Sequence, residues 1–199
     1  MAGGWKRLGH TQNAGVDSNI IVDNIPVADY LKVQITFGGV SASSACRIRF
    51  NDDATSNIYR YRNYNNGGMD TGSANAWNPQ NHNGTDNDSW ILFDIFIDNH
   101  SGKYKLCESI CTFQSSAGAG TYPIVTQNWC KWANTDQISK IDVTNDLTQD
   151  MQALSSVTVW GAVDGTTTYP YLSNGAIFEE SDTGKHYMFD GTSTWNEIT

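Results

Sequence analysis

Polar and apolar residues alternate along much of this chain. In Tyr30-Leu31-Lys32-Val33-Gln34-Ile35-Thr36-Phe37, the residues Leu31, Val33, Ile35 and Phe37 share one face. Lys32, Gln34 and Thr36 share the other. Successive strand side chains point to opposite faces, so this period of two predicts a half-buried strand. Cys46, Ile48 and Phe50 alternate with Arg47 and Arg49 in the same way. Residues 90–98 differ, being apolar on both faces except at Asp94, and predict a central strand. Asn99-His100-Ser101-Gly102 predicts a turn, and a partner strand over about 103–113 completes a hairpin. Further strands are expected near 18–23, 57–64, 124–132, 137–143 and 156–163, separated by turn clusters. No long stretch places apolar residues at helical spacing. Many short strands with Gly- and Asn-rich turns predict an all-β fold, an antiparallel β-sandwich of jelly-roll-like character.

Two segments break the pattern. Residues 65–89 are almost all Asn, Gly, Asp, Ser and Thr, with Trp77 and Pro79 inside. A connection of that length is expected to be an exposed, variable loop. After Val163, Asp164-Gly165-Thr166-Thr167-Thr168 reads as a linker. Residues 169–199 then read turn, strand, turn, strand, turn, anchored by Tyr187 and Trp195. A hairpin of this size buries no core of its own, so it is expected to dock on a neighbour. The expected organisation is a sandwich domain over 1–163 and a linker with a small C-terminal β-hairpin extension over 164–199.

Charge removes several function classes. The formal net charge is -9, and no basic run is present. Phosphate neutralisation needs a basic face, so nucleic acid is not an expected partner. No segment reaches the ~20 apolar residues of a membrane helix, and no membrane partner is expected. The N-terminus lacks the apolar stretch of a secretory signal, and Ala2 fails the myristoylation pattern. Synthesis in a cytoplasm is the expectation. Of the four cysteines, Cys46, Cys107, Cys111 and Cys130, only Cys107 and Cys111 are close in sequence. On a strand they lie roughly 13 Å apart on one face, too far for a disulfide. A zinc site needs paired close spacings, so buried, reduced thiols are expected.

Few residues of the chain match a catalytic or metal-binding pattern. Asp70-Thr71-Gly72-Ser73 matches the aspartic-protease tetrapeptide, but no apolar strand precedes it and no second copy exists. Asp86 and Asp88 lie in an oxygen-rich stretch and are weak calcium candidates without the EF-hand spacing. His10, His82, His100 and His186 are scattered, and no nucleophile elbow, phosphate loop or dinucleotide fingerprint occurs. No enzyme activity, catalytic residue or cofactor is expected. Arg47, Arg49, Arg60 and Arg62 alternate on two strands, with Tyr59, Tyr61 and Tyr64 interleaved. They suggest one Arg/Tyr face, either solvated or an interface. Trp77, Trp129, Trp132 and Tyr122 are candidates for stacking on sugar, against a plain packing role.

Trp5-Lys6-Arg7-Leu8, Asn19-Ile20-Ile21-Val22, Pro26, Tyr30-Leu31-Lys32-Val33, Arg49-Phe50-Asn51-Asp52 and Asn57-Ile58-Tyr59-Arg60-Tyr61-Arg62 with Asn66-Gly67-Gly68 together resemble a module of phage and archaeal-virus virion proteins. Its later end is similar to Ile138-Ser139-Lys140-Ile141-Asp142-Val143-Thr144 and Val157-Thr158-Val159-Trp160-Gly161. Ser173-Asn174-Gly175-Ala176-Ile177-Phe178-Glu179-Glu180 and Asp182-Thr183-Gly184-Lys185-His186-Tyr187-Met188-Phe189-Asp190-Gly191-Thr192 resemble a short motif of tail and capsid-associated proteins. The resemblance covers most of the chain and implies a jelly-roll-like virion structural protein with no catalytic residues. For a chain this short it implies a minor capsid, decoration, turret, tail or fibre role. The implied partners are capsid, portal or tail subunits and further copies of the chain, a trimer among the arrangements, with host-surface glycan as a further contact. The alternative is a carbohydrate-binding module or lectin.

Overall fold

The computed structural model describes residues 5–38, 46–65, 68–79, 90–113, 122–145, 150–163, 175–180, 183–190 and 194–198. The fold is all-β, and among the described residues there is no helix. The chain divides into two compact units, Arg7–Gly161 and a second made of Met1–Lys6 with Ala162–Thr199.

The larger unit is a sandwich of two antiparallel sheets. The first has eight strands in the order β1-β11-β3-β7-β8-β9-β5-β6. These are β1 (Lys6–Gln12), β3 (Tyr30–Gly38), β5 (Tyr59–Asn65), β6 (Gly68–Ala74), β7 (Trp90–Asp98), β8 (Lys105–Phe113), β9 (Ile124–Trp132) and β11 (Ser156–Ala162). The second sheet, β2-β10-β4, holds β2 (Asn19–Val22), β4 (Cys46–Phe50) and β10 (Ile141–Asn145). Alternation decides which side chains enter the space between the sheets. Leu31, Val33, Ile35 and Phe37 from β3 meet that space, as do Phe93, Ile95 and Ile97 from β7, all buried. Ile48 and Phe50 close it from the second sheet. Each such side chain contributes roughly 1.5–3 kcal/mol by leaving water.

An aromatic knot ties the layers at one end. Phe50 lies 5.9 Å from Tyr59 and 5.6 Å from Trp132 between ring centroids. The Phe50 amide donates to the buried Tyr59 hydroxyl at 2.8 Å, so the phenol enters the core with its polar tip satisfied. The Trp132 indole N–H donates to Asp53 Oδ2 at 2.9 Å.

Three elements depart from the expectations. Part of the supposed 65–89 loop is a strand: β6 pairs with β5 from Tyr59↔Ala74 to Asn65↔Gly68. Its sequence, Gly-Met-Asp-Thr-Gly-Ser-Ala, has no apolar alternation because it is an edge strand that lends only backbone to the sheet. At Gly72 a Cβ would meet the far end of the Tyr61 side chain lying over it and push that ring aside. Trp77, in the same supposed loop, is buried and bridges backbone to Ile48. Residues 80–89, with His82, Asp86 and Asp88, lie outside the described residues. The strand expected over 137–143 begins only at Ile141. Before it, the Asn51 side chain accepts from the Ser139 and Lys140 amides at 2.9 and 3.0 Å and donates to Gln137 O at 2.9 Å. Asn99 accepts from the Ile138 amide at 2.8 Å. These amides are satisfied by side chains and have no need of a ladder. Lastly, β1 is an addition to the expected strands, because Lys6–Gln12 carries no apolar alternation to announce it.

The β7–β8 turn follows the expectation, with Gly102 in the left-handed region at φ 75. The smaller unit is a three-stranded sheet, β12 (Ile177–Glu180), β13 (Lys185–Phe189) and β14 (Trp195–Ile198). The expected hairpin is β12–β13, and β14 adds to it through Phe189↔Trp195 to His186↔Ile198. Phe178, Tyr187, Phe189 and Trp195 form its aromatic cluster, Phe189 and Trp195 being 5.2 Å apart.

Candidate interaction surface

The outward face of the eight-stranded sheet carries the side chains that alternate with the core. On β7 these are Trp90, Leu92, Asp94, Phe96 and Asp98; on β8, Leu106, Glu108, Ile110 and Thr112. On β9 they are Val125, Gln127, Trp129 and Lys131; on β5, Arg60, Arg62 and Tyr64. Leu92 is 51% exposed, Phe96 49%, Leu106 58%, Ile110 47%, Val125 56% and Trp129 37%. These six form a patch of roughly 500 Å² of apolar surface, at the size that marks interaction sites on soluble proteins.

Register fixes the neighbours. One row across the sheet runs Lys32, Phe96, Glu108, Trp129, Arg62, Thr71. The next runs Tyr30, Asp98, Leu106, Lys131, Arg60, Ser73. Acidic residues therefore collect on β7 and β8 as Asp94, Asp98 and Glu108, while Lys131, Arg60 and Arg62 collect on β9 and β5. Arg60 and Lys131 sit directly opposite each other, a like-charge pairing that costs stability in a sheet. Arg60, Arg62 and Glu108 form no ion pair among the described residues. Lys32 pairs with Asp94 at 3.2 Å and stands 5.4 Å over the Phe96 ring. Asp98 accepts from His100 at 2.6 Å; burial opposes its ionisation, but the His100 hydrogen bonds prevail and lower its pKa. Beyond the basic strip, Arg60, Tyr61, Arg62, Thr71, Gly72 and Ser73 line a shallow, open groove of about 630 Å³ at the β5–β6 edge.

The residues singled out from sequence are divided by the fold. Arg47 and Arg49 pair with Thr144 and Asp142 in the three-stranded sheet, whereas Arg60 and Arg62 belong to the eight-stranded one. The single Arg/Tyr face is thus corrected to two faces, because the chain changes layer between β4 and β5. Tyr59 is buried in the aromatic knot and Tyr61 covers Gly72. Trp77 and Trp132 are fully buried, which removes them as sugar platforms. Trp129 remains on the surface, and Tyr122 is 88% exposed. Tyr187 and Trp195 belong to the cluster of the smaller unit. Leu92, Phe96, Leu106, Ile110 and Val125 are surface residues that the sequence reading missed. For Leu92 and Phe96 the signal is present in the two-sided apolar pattern of β7, which only a partner or a second layer can satisfy.

The four cysteines are free and buried. Burial raises the thiol pKa values of Cys46, Cys111 and Cys130, to about 12 at Cys111, and keeps these three protonated and inert. Cys107 and Cys130 face each other across β8 and β9. Among the described residues, no group of three or more His, Cys, Asp or Glu is arranged to hold a metal ion. Nor, among them, is any helix long and apolar enough to cross a membrane. Comparison with protein-family models, curated proteins and solved structures returns no match.

Proposed function

We propose that this chain is a structural subunit of a virus particle, a jelly-roll-like sandwich working through protein–protein contact. One observation carries the reading: β7 is patterned for burial on both faces, yet its outward Leu92 and Phe96 are half exposed. A face of that kind suits a protein whose working state is an assembly. The virion context rests on the resemblance of the segments named above. A decoration, turret, tail or fibre position is what the same resemblance implies, with capsid, portal or tail subunits as partners.

The test is a reconstruction of purified particles with a copy count by mass spectrometry. Stoichiometric copies at symmetric positions are expected. Particles that lack the chain, from cells that express it, would reject the reading.

A lectin activity is the second reading, favoured by the exposed Trp129 flanked by Arg62 and Glu108 in register. A glycan array probed with the full chain and with Trp129→Ala separates the two. Glycan binding lost in the variant supports the lectin; an array without signal removes it.

A further inference from the structure

We propose that two copies of this chain associate face to face through the outward surface of the eight-stranded sheet, about a two-fold axis parallel to the strands between β8 and β9. The inference rests on reading that surface as an assembly surface, and it names the partner.

Three features select a second copy. First, the exposed apolar side chains lie on consecutive central strands, β7, β8 and β9, and not on an edge. A layer of matching shape is needed to cover them, as in sheet-on-sheet packing. Second, the face is divided by charge. Asp94, Asp98 and Glu108 stand on β7 and β8; Lys131, Arg60 and Arg62 stand on β9 and β5. The two-fold operation lays β8 of one copy over β9 of the other and β7 over β5. It sets the acidic half against the basic half twice over, and it relieves the like-charge pair Arg60–Lys131. Leu106, Ile110 and Trp129 fall near the axis, where apolar residues exclude water best. Third, the area is sufficient. Strands about 4.8 Å apart and nine residues long at about 3.4 Å each give a footprint of roughly 600 Å², in the range of a specific interface side.

The geometry makes a distinctive demand. Glu108 of one copy faces Trp129 of the other and reaches Arg62 diagonally, one strand spacing of about 4.8 Å to the side, and the reverse contact repeats it. Glu108→Arg should therefore dissociate the dimer, as should Arg62→Glu. Mixing the two variants should restore a heterodimer. The arginine introduced in one then meets the glutamate introduced in the other, while the native Glu108–Arg62 pair survives at the symmetric contact. Sedimentation velocity on the full chain reads this directly. Each single variant is expected to weaken dimerisation by roughly 100-fold or more, and the mixture to recover to within about tenfold of wild type. Both residues are exposed, and a circular dichroism spectrum matching wild type establishes folding. A wild-type chain that stays monomeric at high micromolar concentration overturns the proposal, as does a trimer or a dimer indifferent to both substitutions. A monomer whose outward face is covered by another protein in the particle overturns the dimer and leaves the virion reading standing.

Discussion

Two asparagines hold the irregular ends of the sandwich in place. Asn99 is fully buried; its amide donates to Ala28 O at 2.9 Å and its carbonyl accepts from the Ile138 amide at 2.8 Å. Asn51 performs the same service for Gln137, Ser139 and Lys140. Removing such a side chain strands buried backbone groups, each of which costs about 1–3 kcal/mol. Asn99→Ala should lower stability by about 2–4 kcal/mol, read as a shift in the urea midpoint at unchanged slope. Lys105 is a third clamp: fully buried, its ammonium donates to His100 O, Lys103 O and Thr135 O at 2.5, 2.6 and 3.2 Å. Asp53 supplies the pH dependence. Partial burial opposes its ionisation, but hydrogen bonds from Thr55, Trp132 and Asn134 outweigh it and hold the carboxyl below the usual range. The folded-state pKa is lower than the unfolded one, near about 3.9. Its stabilisation is thus present above about pH 4 and is lost as pH falls through the folded value. Asp53→Asn should be less stable than wild type at neutral pH, and thermal melts should show that gap closing as pH falls below about 4.

At the scale of the element, β7 separates folding from association. Its inward Phe93 is fully buried, while its outward Phe96 is half exposed on the same strand. Phe93→Ala should cost about 3–5 kcal/mol of stability. Phe96→Ser should change monomer stability by less than about 1 kcal/mol and still weaken self-association in sedimentation. If Phe96→Ser instead proves as damaging as Phe93→Ala to the isolated chain, the outward face belongs to the fold and not to a partner. The strands with clear alternation, β3 and β4, are legible in sequence because one buried face imposes a period of two; β8 and β9 are legible only from the turn signals around them, because they bury Lys105, Ser109, Thr126 and Asn128 and leave Leu106, Ile110, Val125 and Trp129 exposed. β6 is not legible, because an edge strand that contributes backbone to Tyr59–Asn65 needs no apolar face. Nor is the late start of β10, because the satisfaction of 137–140 comes from Asn51 and Asn99, distant in sequence.

For the whole molecule, the net charge of -9 sets a general repulsion between copies. Association must then depend on local complementarity at a short distance. This predicts a thermal midpoint that rises with protein concentration for wild type, because binding partners stabilise the folded state by mass action. Glu108→Arg should abolish that dependence while keeping the midpoint wild type shows at high dilution, in melts over a roughly hundredfold concentration range.

The sequence by itself determined the fold class, the main strands and the aromatic anchors of the smaller unit. Those follow from local period and turn chemistry, which act over a few residues. It also contained the apolar pattern of residues 90–98, but not its meaning. Whether a two-sided apolar strand is covered depends on how many layers the chain builds. Here the second sheet covers one side only, and Leu92 and Phe96 remain exposed. Tertiary structure alone decided that Arg47 and Arg49 part from Arg60 and Arg62, and that Trp77 and Trp132 go to the core while Trp129 stays outside. It also set acidic β7 and β8 beside basic β9 and β5. Strand order is fixed by long-range pairing, and no local pattern encodes which strand becomes whose neighbour.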